Sequence, residues 1–133
     1  MVPEIATDPA RLDVDFIHLF LKKSYWAKGR SRETVETCIR HSLNFGVYLH
    51  GRQIGYARVV TDYAVFAYLL DVFIAEAYRR KGSAKKLMAF IMSYPPLQNV
   101  QTWRLATSDA HELYRKFGFG PLAFPEKMME RQV

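Results

Sequence analysis

The chain has 133 residues, with 19 Lys and Arg against 13 Asp and Glu, giving a formal net charge of +6. Half of the residues are hydrophobic, enough to fill a core, which excludes general disorder; the length suits one domain over 1–133. A single cysteine, Cys38, excludes an internal disulfide framework and a cysteine-rich zinc module, and points to a reducing compartment, the cytoplasm. The most apolar stretch, Tyr63 to Leu70, falls far short of the roughly 20 residues of a membrane helix, and no secretion signal opens the chain. No membrane partner is therefore expected. The basic balance calls for an anionic partner, without separating nucleic acid from a phosphorylated small molecule.

The spacing predicts a helix over Val14 to Lys23, with Phe16, Ile17, Phe20 and Leu21 on one face and Asp13 as cap. Ser31 is placed to cap a second helix with the stripe Val35, Cys38, Ile39 and Ser42. Alternation then takes over. Phe45, Val47 and Leu49 mark a strand, His50-Gly51-Arg52-Gln53 a hairpin turn, and Ile54, Tyr56, Val59 and Val60 the return strand. Ala64 to Ile74 reads as a third strand, apolar on both faces as at the centre of a sheet. Ala84 to Ser93 is helical, with Leu87, Met88 and Ile91 inward, and Pro95-Pro96 stops it. Trp103 to Ala106 is a short strand. Asp109-x-x-Glu112 has the form of a capping box for a last helix that buries Ala110, Leu113, Tyr114 and Phe117 and ends at Gly118. A final strand is left for the C-terminal segment. The order implies an α/β (α+β) sandwich: helices on a mixed, mostly antiparallel sheet.

The stretch Asp71 to Leu87 carries the chemistry. A buried strand runs into a turn with Arg79, Arg80 and Lys81, and Gly82, Ser83 and Ala84 then open an amphipathic helix with Lys85 and Lys86. The first N–H groups of a helix have no internal partners and, with its dipole, favour anions; small residues let a ligand approach the backbone. A phosphate or pyrophosphate suits such a place, although most basic helix starts are simply solvated. The Gly-x-x-x-x-Gly-Lys-Ser/Thr loop, the dinucleotide fingerprint and the Gly-x-Ser-x-Gly elbow are all absent. His18, His41, His50 and His111 show no metal-ligand spacing, so no metal is expected.

Arg79-Arg80-Lys81-Gly82-Ser83-Ala84 resembles the Arg/Gln-x-x-Gly-x-Gly/Ala acyl-CoA-binding turn of the GNAT N-acetyltransferases. Ala110 to Phe119 is similar to that family's Ala-x-x-Leu-Tyr-x-x-x-Gly-Phe segment, in the expected order and separation. The resemblance implies a V-shaped splay between two central strands, with acetyl-CoA as cosubstrate in the gap. Its pantetheine arm would pair with the backbone of Val72 and Ile74 like an extra strand, and its pyrophosphate would rest on the amides of Arg80 to Lys85. Val72, Phe73, Ile74, Arg79, Arg80, Lys81, Gly82, Ser83, Ala84 and Lys85 are thus the expected cofactor residues. Thr107 joins them at a position where an asparagine that orients the cofactor arm is common. Dimers are frequent among relatives, so a homodimer is one expectation.

Acetyl transfer needs a neutral amine, a polarised carbonyl and a protonated leaving thiolate, and a lysine-like amine has a pKa of about 10.4. A backbone N–H near Phe73 or Ile74 is the expected oxyanion donor. Taken alone, Tyr114 is a packing residue on an apolar stripe; the resemblance makes it the general acid toward the thiolate. Asp71, a carboxylate in an apolar strand, is the leading base, against the alternative of an acid satisfied by a neighbour such as Arg58. Glu76 and a water chain are weaker routes. Tyr25 and Trp26 lie in the loop that borders the acceptor pocket in the family, either shaping a substrate site or covering core. The expected function is direct transfer of an acetyl group to a primary amine of a small molecule or peptide. The competing reading is a non-catalytic basic module for acyl-CoA or nucleic acid. Nucleic acid is the weaker partner, because the basic residues cluster at one helix start.

Overall fold

The computed structural model describes residues 2–133. Helix α1 (Val14–Lys23) opens with the Phe16 N–H donating to the Asp13 carboxylate at 3.0 Å, and helix α2 (Arg32–Arg40) with the Thr34 N–H donating to the Ser31 hydroxyl at 3.1 Å. Both caps are those the sequence offered. Strands β2 (Leu43–Leu49) and β3 (Arg52–Thr61) are joined by His50 and Gly51, with φ of 53° and 77°, the left-handed pair of a tight two-residue hairpin. Strand β4 (Phe66–Ile74) starts two residues later than the apolar run suggests. The Asp62 carboxylate accepts the N–H groups of Ala64, Val65 and Phe66 and holds that stretch in a turn.

A short strand near the N-terminus, β1 (Glu4–Ala6), pairs antiparallel with β2. Its three residues carry no alternation long enough to read. Beyond β4, helix α3 (Ser83–Ser93) crosses back to strand β5 (Thr102–Arg104), and helix α4 (His111–Arg115) follows. The sheet order is β1-β2-β3-β4-β5, antiparallel except for the β4–β5 pair. Helices α1 and α2 pack on one face through Ile17, Leu21 and Val35 against Tyr56 and Phe73. On the other face α3 buries Leu87, Met88 and Ile91 against Phe45, Ile54, Val59 and Leu69, with Tyr114 of α4 in the same cluster. Strand β3, third of five, is buried along most of its length, as the middle of a three-layer sandwich should be.

Three expectations need correcting. Among the described residues no strand forms after α4; the segment from Gly120 onward lies exposed, with only a 3₁₀ turn at Pro125–Lys127. The splayed strands are consequently β4 and the edge strand β5, rather than two central ones. The Asp109 box does not cap α4 either. The Thr107 hydroxyl accepts the Ala110 N–H at 3.1 Å and the Asp109 N–H at 3.4 Å, while the Asp109 carboxylate receives the Tyr25 hydroxyl.

Gly55 on β3 lets the strands close tightly beside the end of β4. A Cβ there would lie 2.6 Å from Ile74 Cδ1 and 2.8 Å from the Phe73 carbonyl oxygen. Gly55→Ala is expected to destabilise the protein by about 1–3 kcal/mol in urea denaturation, through overpacking against backbone that cannot yield.

Candidate active site

The site begins with a defect in the sheet. Between the pairs Tyr56–Phe73 and Arg58–Leu70, β3 contributes one residue and β4 two, Asp71 and Val72. This β-bulge bends β4, and Asp71 takes the left-handed φ of 54°, a conformation that aspartate tolerates better than most residues. The carboxylate so aimed is 1% exposed. Its Oδ1 accepts the Trp26 indole N–H at 2.9 Å, and its Oδ2 accepts Arg30 Nη1 at 2.8 Å and Arg58 Nε at 2.6 Å. One strand residue thereby fastens the α1–α2 loop and the neighbouring strand. A buried carboxylate requires such compensation.

Pairing between β4 and β5 stops at Tyr68–Arg104. From Leu69 onward β4 has no strand on that side, and the chain after β5 diverges from it. A cavity of about 340 Å³ fills the divergence. Tyr68 to Val72 form one wall, Leu105 to Ala110 the other, and Tyr25, Trp26, Arg30 and Tyr114 complete it. The Ala75 N–H donates to the Ile54 carbonyl at 2.7 Å. Alternation along an antiparallel ladder then turns the backbone groups of Ile74 and Val72 away from β3, toward the gap, and those of Phe73 into the β3 ladder.

At the far end of β4 the chain enters the basic turn. Among the described residues the backbone N–H groups of Arg80 through Lys85 donate to no protein acceptor; the next, that of Lys86, bonds the Gly82 carbonyl at 3.0 Å. Arg80 and Gly82 have φ of 66° and 81°, and no side chain caps α3. Six consecutive amides beside a helix N-terminus, among the exposed side chains of Arg80, Lys81 and Lys85, form a cradle for an anion. Arg79 is employed differently. Its Nε donates to the Ile74 carbonyl at 2.9 Å, and its guanidinium lies 5.9 Å over the Phe20 ring, so it tethers the turn to the strand.

Tyr114 projects from α4 into the cavity with its ring largely buried. Burial above all, and then the nearby Tyr25 and the Asp109 carboxylate, push its phenol up to about 12. It stays protonated throughout the neutral range and can only donate its proton there. The Tyr25 hydroxyl accepts the Ser108 N–H at 3.1 Å and reaches Asp109 Oδ1 at 3.4 Å, fastening the α1–α2 loop to the Leu105–Ala110 wall.

The model of the acetyltransferase (GNAT) domain family matches residues 40–121, from the end of α2 past α4. The chain belongs to the GNAT acetyltransferase family. A GNAT-family protein of Xanthomonas campestris pv. campestris, provisionally assigned as an acetyltransferase, is 45% identical, with a TM-score of 0.97 over 100% of this chain and 94% of that one. A Gibberella zeae protein, named provisionally as an acetyltransferase, is 27% identical over 84% of this chain and 75% of its own length. The fold also matches that of a provisionally assigned acetyltransferase of Clostridium acetobutylicum, solved with acetyl-CoA: TM-score 0.69, 13% identity, over 98% of this chain and 94% of that one.

In this GNAT chain, Asp71, Val72, Thr107, Tyr114, Tyr25 and Trp26 line one cavity, and Arg80 to Lys85 gather beyond the C-terminal end of β4. Phe73 falls outside both: its ring stacks on Phe20 at 3.8 Å in the core, and its backbone faces β3. Glu76 is exposed in a 3₁₀ turn away from the cavity. Arg30 and Asp109 escape a sequence reading as site residues. The only signal for a second cation was the buried aspartate itself, and Arg58 already answered it. Asp71→Asn leaves Arg30 and Arg58 without their counter-charge, and a loss of about 3 kcal/mol or more in denaturant midpoint analysis is expected, far above a surface substitution.

Proposed function

We propose that this protein transfers an acetyl group directly from acetyl-CoA to the amine of a small acceptor. The observation that carries the reading is the wedge beside β4 ending in six unpartnered amides at Arg80 to Lys85. A sheet edge that lacks a partner and a helix start that lacks a cap, joined by one strand, suit an extended chain carrying a diphosphate. Acetyl-CoA supplies the activated acetyl thioester. The Ile74 N–H, turned into the gap, is the donor suited to the charge that develops on the acyl oxygen. Val72 offers both backbone groups to the arm, whereas the Ile74 carbonyl is already held by Arg79. Thr107 orients the wall opposite by gathering the amides that open α4.

Tyr114 is the O–H donor at the cavity. With its phenol near 12 and a thiol near about 8.5, complete transfer to a free thiolate runs uphill. Tyr114 therefore stabilises the departing sulfur as a hydrogen-bond donor, and its proton passes to the thiolate only as the acceptor amine gives up its own proton to the phenol oxygen. Asp71 is poorly placed as base, because Arg30, Arg58 and the Trp26 indole occupy both its oxygens. We assign it the task of holding the bulge and the acceptor loop. Asp109, whose Oδ2 has no partner among the described residues, lines the cavity and, with water, gives the ammonium proton a way out.

The test is thiol release from acetyl-CoA over a panel of amines, alongside acetyl-CoA binding. Tyr114→Phe is expected to lower kcat by about a hundredfold or more while acetyl-CoA affinity is retained. A non-catalytic acyl-CoA module would bind equally well and show no turnover to lose. Gly82→Val forces a β-branched residue into a left-handed position and moves the amides that follow; acetyl-CoA affinity should fall about tenfold or more, with far-UV circular dichroism unchanged.

A further inference from the structure

The acceptor cavity is charged on both walls. On the β4 side, Asp71 is outnumbered: its single negative charge faces two guanidinium groups, Arg30 and Arg58. Arg58 is 10% exposed and gives its Nη1 to the Ser42 hydroxyl, so it is occupied away from the cavity. Arg30 is 20% exposed and lines the cavity. Among the described residues only its Nη1 has a protein acceptor, which leaves the remaining donors of its planar fork uncommitted. On the other wall, Asp109 presents a carboxylate beside Tyr25 and Tyr114. A surplus positive charge at a half-closed floor is unfavourable in isolation and is relieved by an anionic ligand.

We propose that Arg30 is a specificity residue, and that the acceptor is a small amine bearing an anionic oxyacid group, a carboxylate or a phosphate, which docks on the Arg30 guanidinium. The inference rests on the acetyltransferase reading and narrows its substrate class. Guanidinium matches a two-oxygen anion better than an ammonium would, through parallel N–H donors. The acceptor's amine is left toward Asp109 and Tyr114, where the acetyl group is to be received. The volume of about 340 Å³ is at the small end for ligand sites and is flanked by Tyr25, Trp26 and Tyr68, which suits a compact acceptor. Polyamines, whose charges would all meet Arg30 with the wrong sign, are disfavoured.

Matched acceptor pairs test this without altering the protein: glycine against glycinamide and phenylalanine against phenylalaninamide for carboxylate, O-phosphoethanolamine against ethanolamine for phosphate. Thiol release gives kcat/KM, and thermal shift with each acceptor alone gives binding. The anionic member of at least one set should be preferred about tenfold or more, the set that responds identifying which oxyacid is read. Arg30→Gln should abolish that preference through KM, and Arg30→Lys should restore part of it. The wild-type comparison stands even if Arg30→Gln proves unstable through loss of the Asp71 pair. Equal rates for both members of every pair, or a preference for spermidine, would overturn the assignment of Arg30 and leave the acetyltransferase reading intact. Failure of acetyl-CoA to bind, with no thiol release from any amine, would overturn both.

Discussion

The carboxylate of Asp71 is the point on which the site depends. It lies in the only part of β4 where the ladder with β3 gains an extra residue, and it draws Trp26 and Arg30 from a loop more than forty positions earlier in the chain. Three functions meet there. The bulge reorients the strand that borders the gap, the ion pairs fix the loop that borders the cavity, and the same loop carries aromatic rings to its lining. A charge buried so completely in an apolar sheet is tolerated because each oxygen is satisfied, two of the three donors being cationic.

The two ends of β4 complement each other. From Leu69 the strand is held on one side only, after β5 turns away; past Ile74 it delivers the chain into a turn with two left-handed residues and a bare helix start. Arg79 links them by folding back onto the Ile74 carbonyl. The basic character of the chain thus divides into separate duties. Arg79 is structural, Arg80, Lys81 and Lys85 surround the amides, Arg30 lines the acceptor cavity, and Arg58 holds the Asp71 carboxylate from the neighbouring strand. A net charge counted from composition cannot show that division.

Local chemistry made much of the architecture legible. Asp13 and Ser31 mark helix starts because a side-chain oxygen within three residues of an orphan N–H does the same thing wherever it occurs. The His50-Gly51 hairpin, the Pro95-Pro96 stop and the turn at Gly82 are equally local. What escaped reading depends on distant partners. Strand β1 exists because β2 has an open edge to pair with, and nothing within Glu4–Ala6 announces it. Asp109 looked like a helix cap until Tyr25, remote in sequence, claimed its carboxylate, while Thr107 holds the turn that precedes α4. Of the site, the motif-bearing turn and Tyr114 could be named from sequence. The alternative that Asp71 answers Arg58 could be stated, but Arg30 and Trp26 could not be foreseen as its further partners.

The left-handed backbone at Asp71 narrows what evolution or design can place there. Glutamate would carry the charge on a side chain one methylene longer and in a residue less at ease with that backbone; asparagine and glycine would accept the conformation and lose the anion. The position demands shape and charge at once, so its workable alphabet shrinks to a single letter.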